Sequence, residues 1–139
     1  MSTTSTTSND IVYVQASQSS ITASATIGAG EAGSDQNVAT DALVATLPKI
    51  EAGNLGMTFL FRNTGADGNN IVTLSPNASD GIHGTIANAA ADSVAGGVVD
   101  KDFVNTKATA NKGDYVILRA VALTEWYIIG GVGIWASEA

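Results

Sequence analysis

The stretch Gly113–Trp135, GDYVILRAVALTEWYIIGGVGIW, constrains this chain more than any other. It holds both tryptophans and two of the three tyrosines. Tyr115–Val121 and Trp126–Ile129 are each rich in β-branched and aromatic residues, and Ala122–Glu125 lies between them. That spacing reads as a β-hairpin on a short loop. Apolar side chains occupy nearly every position, with Arg119 the one interruption in the first strand, which implies that both faces of the hairpin are covered. A lone hairpin is barely stable in water, so other segments must supply neighbouring strands and a second layer.

Candidate partners run along the rest of the chain. Met57–Asn63 (MTFLFRN) places Phe59 and Phe61 on one face, and Asn70–Leu74 returns after the loop Gly65–Gly68, so this pair reads as a second hairpin. Asp10–Ala16 reads as a short strand with Ile11 and Tyr13 on one side and Val12 and Val14 on the other, and Ser20–Ile27 puts Ile21, Ala23, Ala25 and Ile27 on one side. The segment NVATDALVATL has the composition for two or three helical turns or for a strand. Proline biases its predecessor to extended geometry, which favours a strand over Ala42–Leu47 ahead of Pro48. Phe103–Asn105 reads as a short edge strand inside the charged segment Asp100–Lys112. Thr85–Val99 is rich in small residues and reads as a short helix over Ile86–Ala91 or an irregular excursion. Gly130–Trp135 is a last strand loosened by glycine.

The expected architecture is therefore all-β: an antiparallel sandwich or small barrel of about eight strands, jelly-roll-like arrangements included. Residues 10–139 form one domain, preceded by a flexible Ser/Thr-rich N-terminal arm over residues 1–9.

Charge and composition exclude several function classes. The chain has 139 residues and a formal charge of −7, from 13 acidic and six basic side chains. Lys49, Arg62, Lys101, Lys107, Lys112 and Arg119 are scattered, whereas nucleic acids and anionic membranes are bound through clustered cations. Neither partner is expected. Cysteine is absent, so neither a disulfide nor a thiolate metal site can form. Although 45% of residues are hydrophobic, 22 of them are alanine, so the large core formers are concentrated in a few strands. The first ten residues lack the basic and apolar regions of a secretory signal, and no apolar run reaches the ~20 residues of a membrane helix.

Three local motifs suggest chemistry and are better explained as turns. Gly28–Gly33, GAGEAG, matches G-x-G-x-x-G, but the segment after it does not read as the crossover helix of a dinucleotide fold. Asp67–Asn70, DGNN, lacks the spacing and the bidentate glutamate of a calcium loop. Ser79, Asp80 and His83 lie together in the turn cluster NASDGIHG, yet no nucleophile elbow frames them. No enzyme activity, metal or cofactor is expected. Asn77-Ala78-Ser79 is a formal glycosylation sequon, relevant only in a eukaryotic secretory pathway.

The order of three segments carries a resemblance. ATLPKIEAGNLG is followed by MTFLFRNTGADGNNIVTLSPNASDGIHG and, after a spacer, by NKGDYVILRAVALTEWYIIGGVGIW. Across residues 42–135 this resembles small β-rich virion modules of tailed bacteriophages. The likeness rests on Leu47, Pro48, Phe59, Phe61, Pro76, Asp80, Ile82, Gly84, Gly113, Asp114, Val116, Leu118, Trp126, Tyr127, Ile129 and Gly130. Such modules occur in fibre-associated domains and in head decoration, or cement, proteins. A short chain without added shaft sequence is expected of the decoration class.

The resemblance implies a non-enzymatic protein, made in the bacterial cytoplasm and carried on the outer surface of the head. It implies the major capsid protein as partner and a homotrimeric state. Candidate capsid or subunit contacts are the arm residues Met1, Ser2, Thr3, Thr4, Ser5, Thr6, Thr7, Ser8 and Asn9, together with Trp126, Tyr127 and Trp135, although the core is the favoured place for the three aromatics. The alternative that the resemblance leaves open is a tail- or fibre-associated module that binds a host surface glycan.

Overall fold

The computed structural model describes residues 16–69 and 71–138. The arm Met1–Asn9 and nearly all of the strand expected over Asp10–Ala16 lie outside the described residues. The chain is all-β, as expected, and two sheets pack as a sandwich. The seven-stranded sheet has the order β1-β3-β5-β10-β11-β7-β8 and the five-stranded sheet the order β12-β9-β6-β4-β2. In chain order the strands are β1 Gln18–Ile21, β2 Ala25–Thr26, β3 Asp35–Val38, β4 Leu43–Thr46, β5 Thr58–Asn63, β6 Val72–Ser75, β7 Gly81–Ile86, β8 Ser93–Val99, β9 Phe103–Asn105, β10 Tyr115–Ala122, β11 Glu125–Val132 and β12 Trp135–Ser137.

The sheets are mixed, which corrects the antiparallel and jelly-roll expectation. From β1 to β6 the chain crosses to the opposite sheet after every strand. Strands two apart in sequence therefore lie side by side and run the same way. β1 pairs with β3, β3 with β5, β2 with β4 and β4 with β6, all in parallel. This half is a flattened coil. The second half forms hairpins, with β7–β8 and β10–β11 antiparallel within the larger sheet. β10 also pairs antiparallel with β5, and β11 runs parallel to β7.

Several expected elements change accordingly. Met57–Asn63 and Asn70–Leu74 do not form a hairpin, because β5 and β6 belong to opposite sheets. Ser20–Ile27 is two short strands broken over 22–24, so Ile21 and Ile27 are buried while Ala23 and Ala25 are exposed. Phe103–Asn105 is an interior strand, flanked by β12 and β6. The segment expected as a helix or excursion forms the end of β7, a turn and the seven-residue strand β8. Gly97 on β8 has φ +76°, and the ladder to β7 shifts register beside it.

The core lies between the sheets. Phe59, Phe61, Val116, Leu118 and Trp126 of the larger sheet and Leu47, Leu74 and Phe103 from the other side are fully buried. Phe59 meets Trp126 in a tilted arrangement at 6.1 Å, and Phe103 stacks on Trp135 at 5.5 Å. Aromatic pairs of this kind add packing energy beyond their buried area. Period-two alternation sends Val116, Leu118 and Ala120 of β10 inward. The other face of β10 is not covered, contrary to the expectation for the central hairpin: Arg119 and Val121 are exposed.

Candidate interaction surface

Most of the residues behind the sequence resemblance are buried in the sandwich, and two of them, Asp80 and Asp114, serve as joints. Asp80 is fully buried, and its Oδ2 accepts the Ile50 backbone N–H at 3.1 Å, tying the segment after Pro48 to the start of β7. Asp114 does similar work before β10. Its Oδ2 accepts the Asn111 backbone N–H at 2.9 Å and the Asn105 side-chain amide at 3.1 Å. Asn105 in turn accepts a hydrogen bond from Asn63 at 2.9 Å. Asn63 on β5 and Asn105 on β9 are fully buried in opposite sheets, so this polar chain spans the sandwich. Buried polar groups require such partners, because a lost hydrogen bond inside a core leaves the full desolvation penalty. Gly133, with φ +104°, lets the chain leave β11 directly against the Asp114 carboxylate; a Cβ there would sit 2.4 Å from that carboxyl carbon.

The chemical motifs resolve as turns. In the glycine loop, Ala29–Glu31 forms one 3₁₀ turn, and the Glu31 carboxylate accepts the Gly28 N–H at 3.2 Å. A carboxylate thus takes the first backbone N–H of the loop, and its charge opposes an incoming phosphate. The concavity beside it, about 550 Å³, is lined by 16–19 and 30–34 and has Glu31 as its charged residue. Asp67 accepts the Lys112 backbone N–H at 2.7 Å, fastening one loop to another. Ser79 and Asp80 close on each other at 3.2 Å. His83 lies within strand β7 rather than in the turn, and its ring stacks on Tyr127 at 5.2 Å and covers Gly97. The three residues are not brought together as a catalytic set. Among the described residues no cluster of three or more His, Asp or Glu side chains is placed to hold a metal ion.

Of the aromatic contact candidates, Trp126 is fully buried and Trp135 is 2% exposed, so both belong to the core and offer no side chain to a partner. Their alternation puts them on the inner faces, where the largest apolar surface is removed from water. Tyr127 is on the outer face of the larger sheet, half-buried, with its hydroxyl donating to Glu125 Oε1 at 2.6 Å. That bond, then desolvation and the nearby negative charge, hold the phenol above the ordinary tyrosine range.

The outer face of the larger sheet divides in two. Over β1, β3 and β5 it is polar and closed on itself. Arg62 donates to Asp35 and Asn37 at 3.1 Å each, Gln18 donates to Asp35 at 3.1 Å, and Asn37 donates to Gln18 at 2.8 Å. Over β8, β7, β11 and β10 it is mostly apolar and open, interrupted on β7 by His83 and Thr85. Val94, Val121, Ile129 and Val132 are 55%, 50%, 47% and 50% exposed. Ile117 is half-buried among them, opposite Gly130 in the ladder, where no side chain fills the surface. Contiguous exposed apolar patches are uncommon on soluble monomers and mark interaction sites.

Sequence reasoning missed these four residues as a surface. For Val121 and Ile129 the signal was the nearly continuous apolar pattern of the hairpin, but that pattern pointed to burial on both faces; Val94 and Val132 lay outside the hairpin as read, in the small-residue segment and the last strand. The outer face of the five-stranded sheet holds a second, shallower groove of about 480 Å³ over Val44, Thr73 and Val104, rimmed by Asp102 and Glu138. No known family model matches the chain, and no curated protein matches it either.

Proposed function

We propose that this protein is a head decoration protein of a tailed bacteriophage, binding the outer surface of the major capsid protein as a homotrimer and stabilising the shell by bridging its subunits. It acts without catalysis. The single observation that carries this reading is the open apolar half of an otherwise acidic two-sheet module, the surface of a protein that works by burying area against others. The sequence likeness to virion modules supplies the class, and most of its residues fall in the core and joints of the sandwich, with Tyr127 and Ile129 on the open face. A ligand that binds the assembled shell and not its precursor stabilises the shell by mass action.

The test is to label purified particles with an antibody to this chain. Label distributed regularly over the head, with loss of heat resistance in particles lacking the protein, supports the reading. Label confined to the tail or fibres would point to host-glycan adsorption, and unlabelled particles would end the virion reading altogether.

A further inference from the structure

We propose that the apolar half of the larger sheet's outer face, over β8, β7, β11 and β10, is the surface through which copies of this chain associate with one another. The proposal deepens the homo-oligomeric part of the functional reading by assigning its interface, and it rests on that part alone.

Charge decides the occupant. The chain carries −7, and most of its carboxylates lie elsewhere on the surface. Two copies meeting through such surfaces would bring like charges together, which opposes association. The apolar half carries one carboxylate, Glu125, and one guanidinium, Arg119. Glu125 is engaged by the Tyr127 hydroxyl, and Arg119 donates through Nε to Thr58 Oγ1 at 2.9 Å, leaving its terminal amino groups without a partner among the described residues. Arg119 sits opposite Tyr127 in the ladder, two residues from Glu125. A rotation axis passing beside this face can set Arg119 of one copy against Glu125 of the next. The patch is thus self-complementary: apolar at Ile129, Val132, Val121 and Val94, with one charge of each sign. The groove on the smaller sheet lacks this property, because Asp102 and Glu138 rim it without a cation in its lining.

A comparison of sheet edges agrees. β2 has two residues, β12 has three, and β1 (QSSI) is mostly polar. β8 (SVAGGVV) is seven residues long and uncharged; β12 covers its start, where the Trp135 N–H donates to Ser93 Oγ at 2.9 Å, and Val94, Val98 and Val99 are exposed. Native proteins shorten, charge or cover an edge of this kind. The bulge at Gly97 interrupts the ladder on β8 but leaves its valines in solvent.

The test uses the full chain free of particles. Sedimentation equilibrium should give a multiple of the 14.0 kDa chain mass. Ile129→Glu should reduce it to the single-chain mass with the near-ultraviolet circular dichroism of the buried tryptophans unchanged, whereas Ser20→Glu, on the polar half of the same face, should leave the assembly intact. Arg119→Glu should weaken association, and adding Glu125→Arg in the same chain should restore it. Because the chain has no cysteine, Ile129→Cys gives a single thiol. A short bis-maleimide should join copies through it and not through Ser20→Cys. Should Ile129→Glu disturb folding, this cross-link decides the matter alone. A wild-type chain monomeric at every concentration, or cross-linking at Ser20→Cys in place of Ile129→Cys, would overturn the proposal. Either result leaves particle binding to be judged by labelling, and unlabelled particles would leave the self-association result standing.

Discussion

Residues 18–75 wind back and forth between the two sheets, whereas residues 81–132 are dominated by two hairpins within one of them. Both halves contribute to one core, and they finish their outer surfaces differently. On the larger sheet the wound half covers its outer face with Gln18, Asp35, Asn37 and Arg62, which satisfy one another. The hairpin half leaves valine and isoleucine in solvent. The contrast teaches that a closed polar network and an open apolar face are alternative ways to finish a sheet: the first needs no partner, and the second gains free energy when one arrives, at about 25 cal/mol for each Å² buried.

The sharpest way to break this contrast lies within the central hairpin. Trp126→Ala, on its inner face, should lower stability by about 3–5 kcal/mol. Val121→Ala, on its outer face, should change it by less than about 0.5 kcal/mol when urea unfolding is followed on dissociated chains. An equal loss at both positions would mean that the outer face is already covered within the folded chain.

Adjacent glycines on β11 give the next largest effect. A Cβ at Gly131 would sit 2.8 Å from Ile86 Cδ1 and 3.0 Å from the Tyr115 carbonyl oxygen, whereas at Gly130 the nearest atom is Ile117 Cδ1 at 4.0 Å. Gly131→Ala should therefore lose about 1–3 kcal/mol through overpacking. Gly130→Ala should unfold at nearly the wild-type temperature, and a reversed order would show that the register of β11 is misassigned.

In the wound half, Arg62→Ala removes the shared donor of the polar network. The Arg62 and Asp35 side chains are 32% and 18% exposed, so solvent screens the pair, and a loss of about 1 kcal/mol is expected. The loss should shrink in high salt. An effect several times larger would show that the polar face is an energetic keystone rather than a satisfied surface.

The smallest effects are titrations, one from each half. Tyr127 is held above the ordinary tyrosine range by Glu125, so its contribution is fully present below the free value near 10 and is lost as pH rises through the folded value. Tyrosinate absorbance should show a late-titrating component from Tyr127 that returns toward normal in Glu125→Gln. Asp41 is held below the ordinary carboxylate range, chiefly by its hydrogen bond from Lys107. Its contribution is present above that range and is lost as pH falls through the folded value. Lys107→Met should remove the low-pH shift of Asp41, followed by carboxyl NMR chemical shifts.

Much of the fold was legible because strand burial follows local alternation. Phe59 and Phe61, then Val116 and Leu118, share inward faces as their spacing predicts. β4 ends where Leu47-Pro48 indicates. The turn residues around Gly65–Gly68 were also visible, but a turn does not state whether the chain returns in the same sheet or crosses to the other. β8 was hidden because Ala95, Gly96 and Gly97 carry weak strand propensity, and the bulge at Gly97 interrupts the alternation that identifies a strand. Of the candidate contacts, Tyr127 emerges on a surface, beside Val121 and Ile129, which belonged to a hairpin read as covered on both faces.

By itself the sequence determined that this is a β-protein, where its strongly alternating strands such as β5 and β10 lie, and which side chains within those strands share a face. Those follow from steric preferences and the two-residue period of the extended chain, both local. Only the tertiary structure decided which sheet each strand joins, that strands two apart run parallel, and that the apolar outer face of the central hairpin has no layer above it. Whether an apolar face is covered depends on what lies about 10 Å away across the sheet normal, and the order of residues along one strand carries no record of that distance.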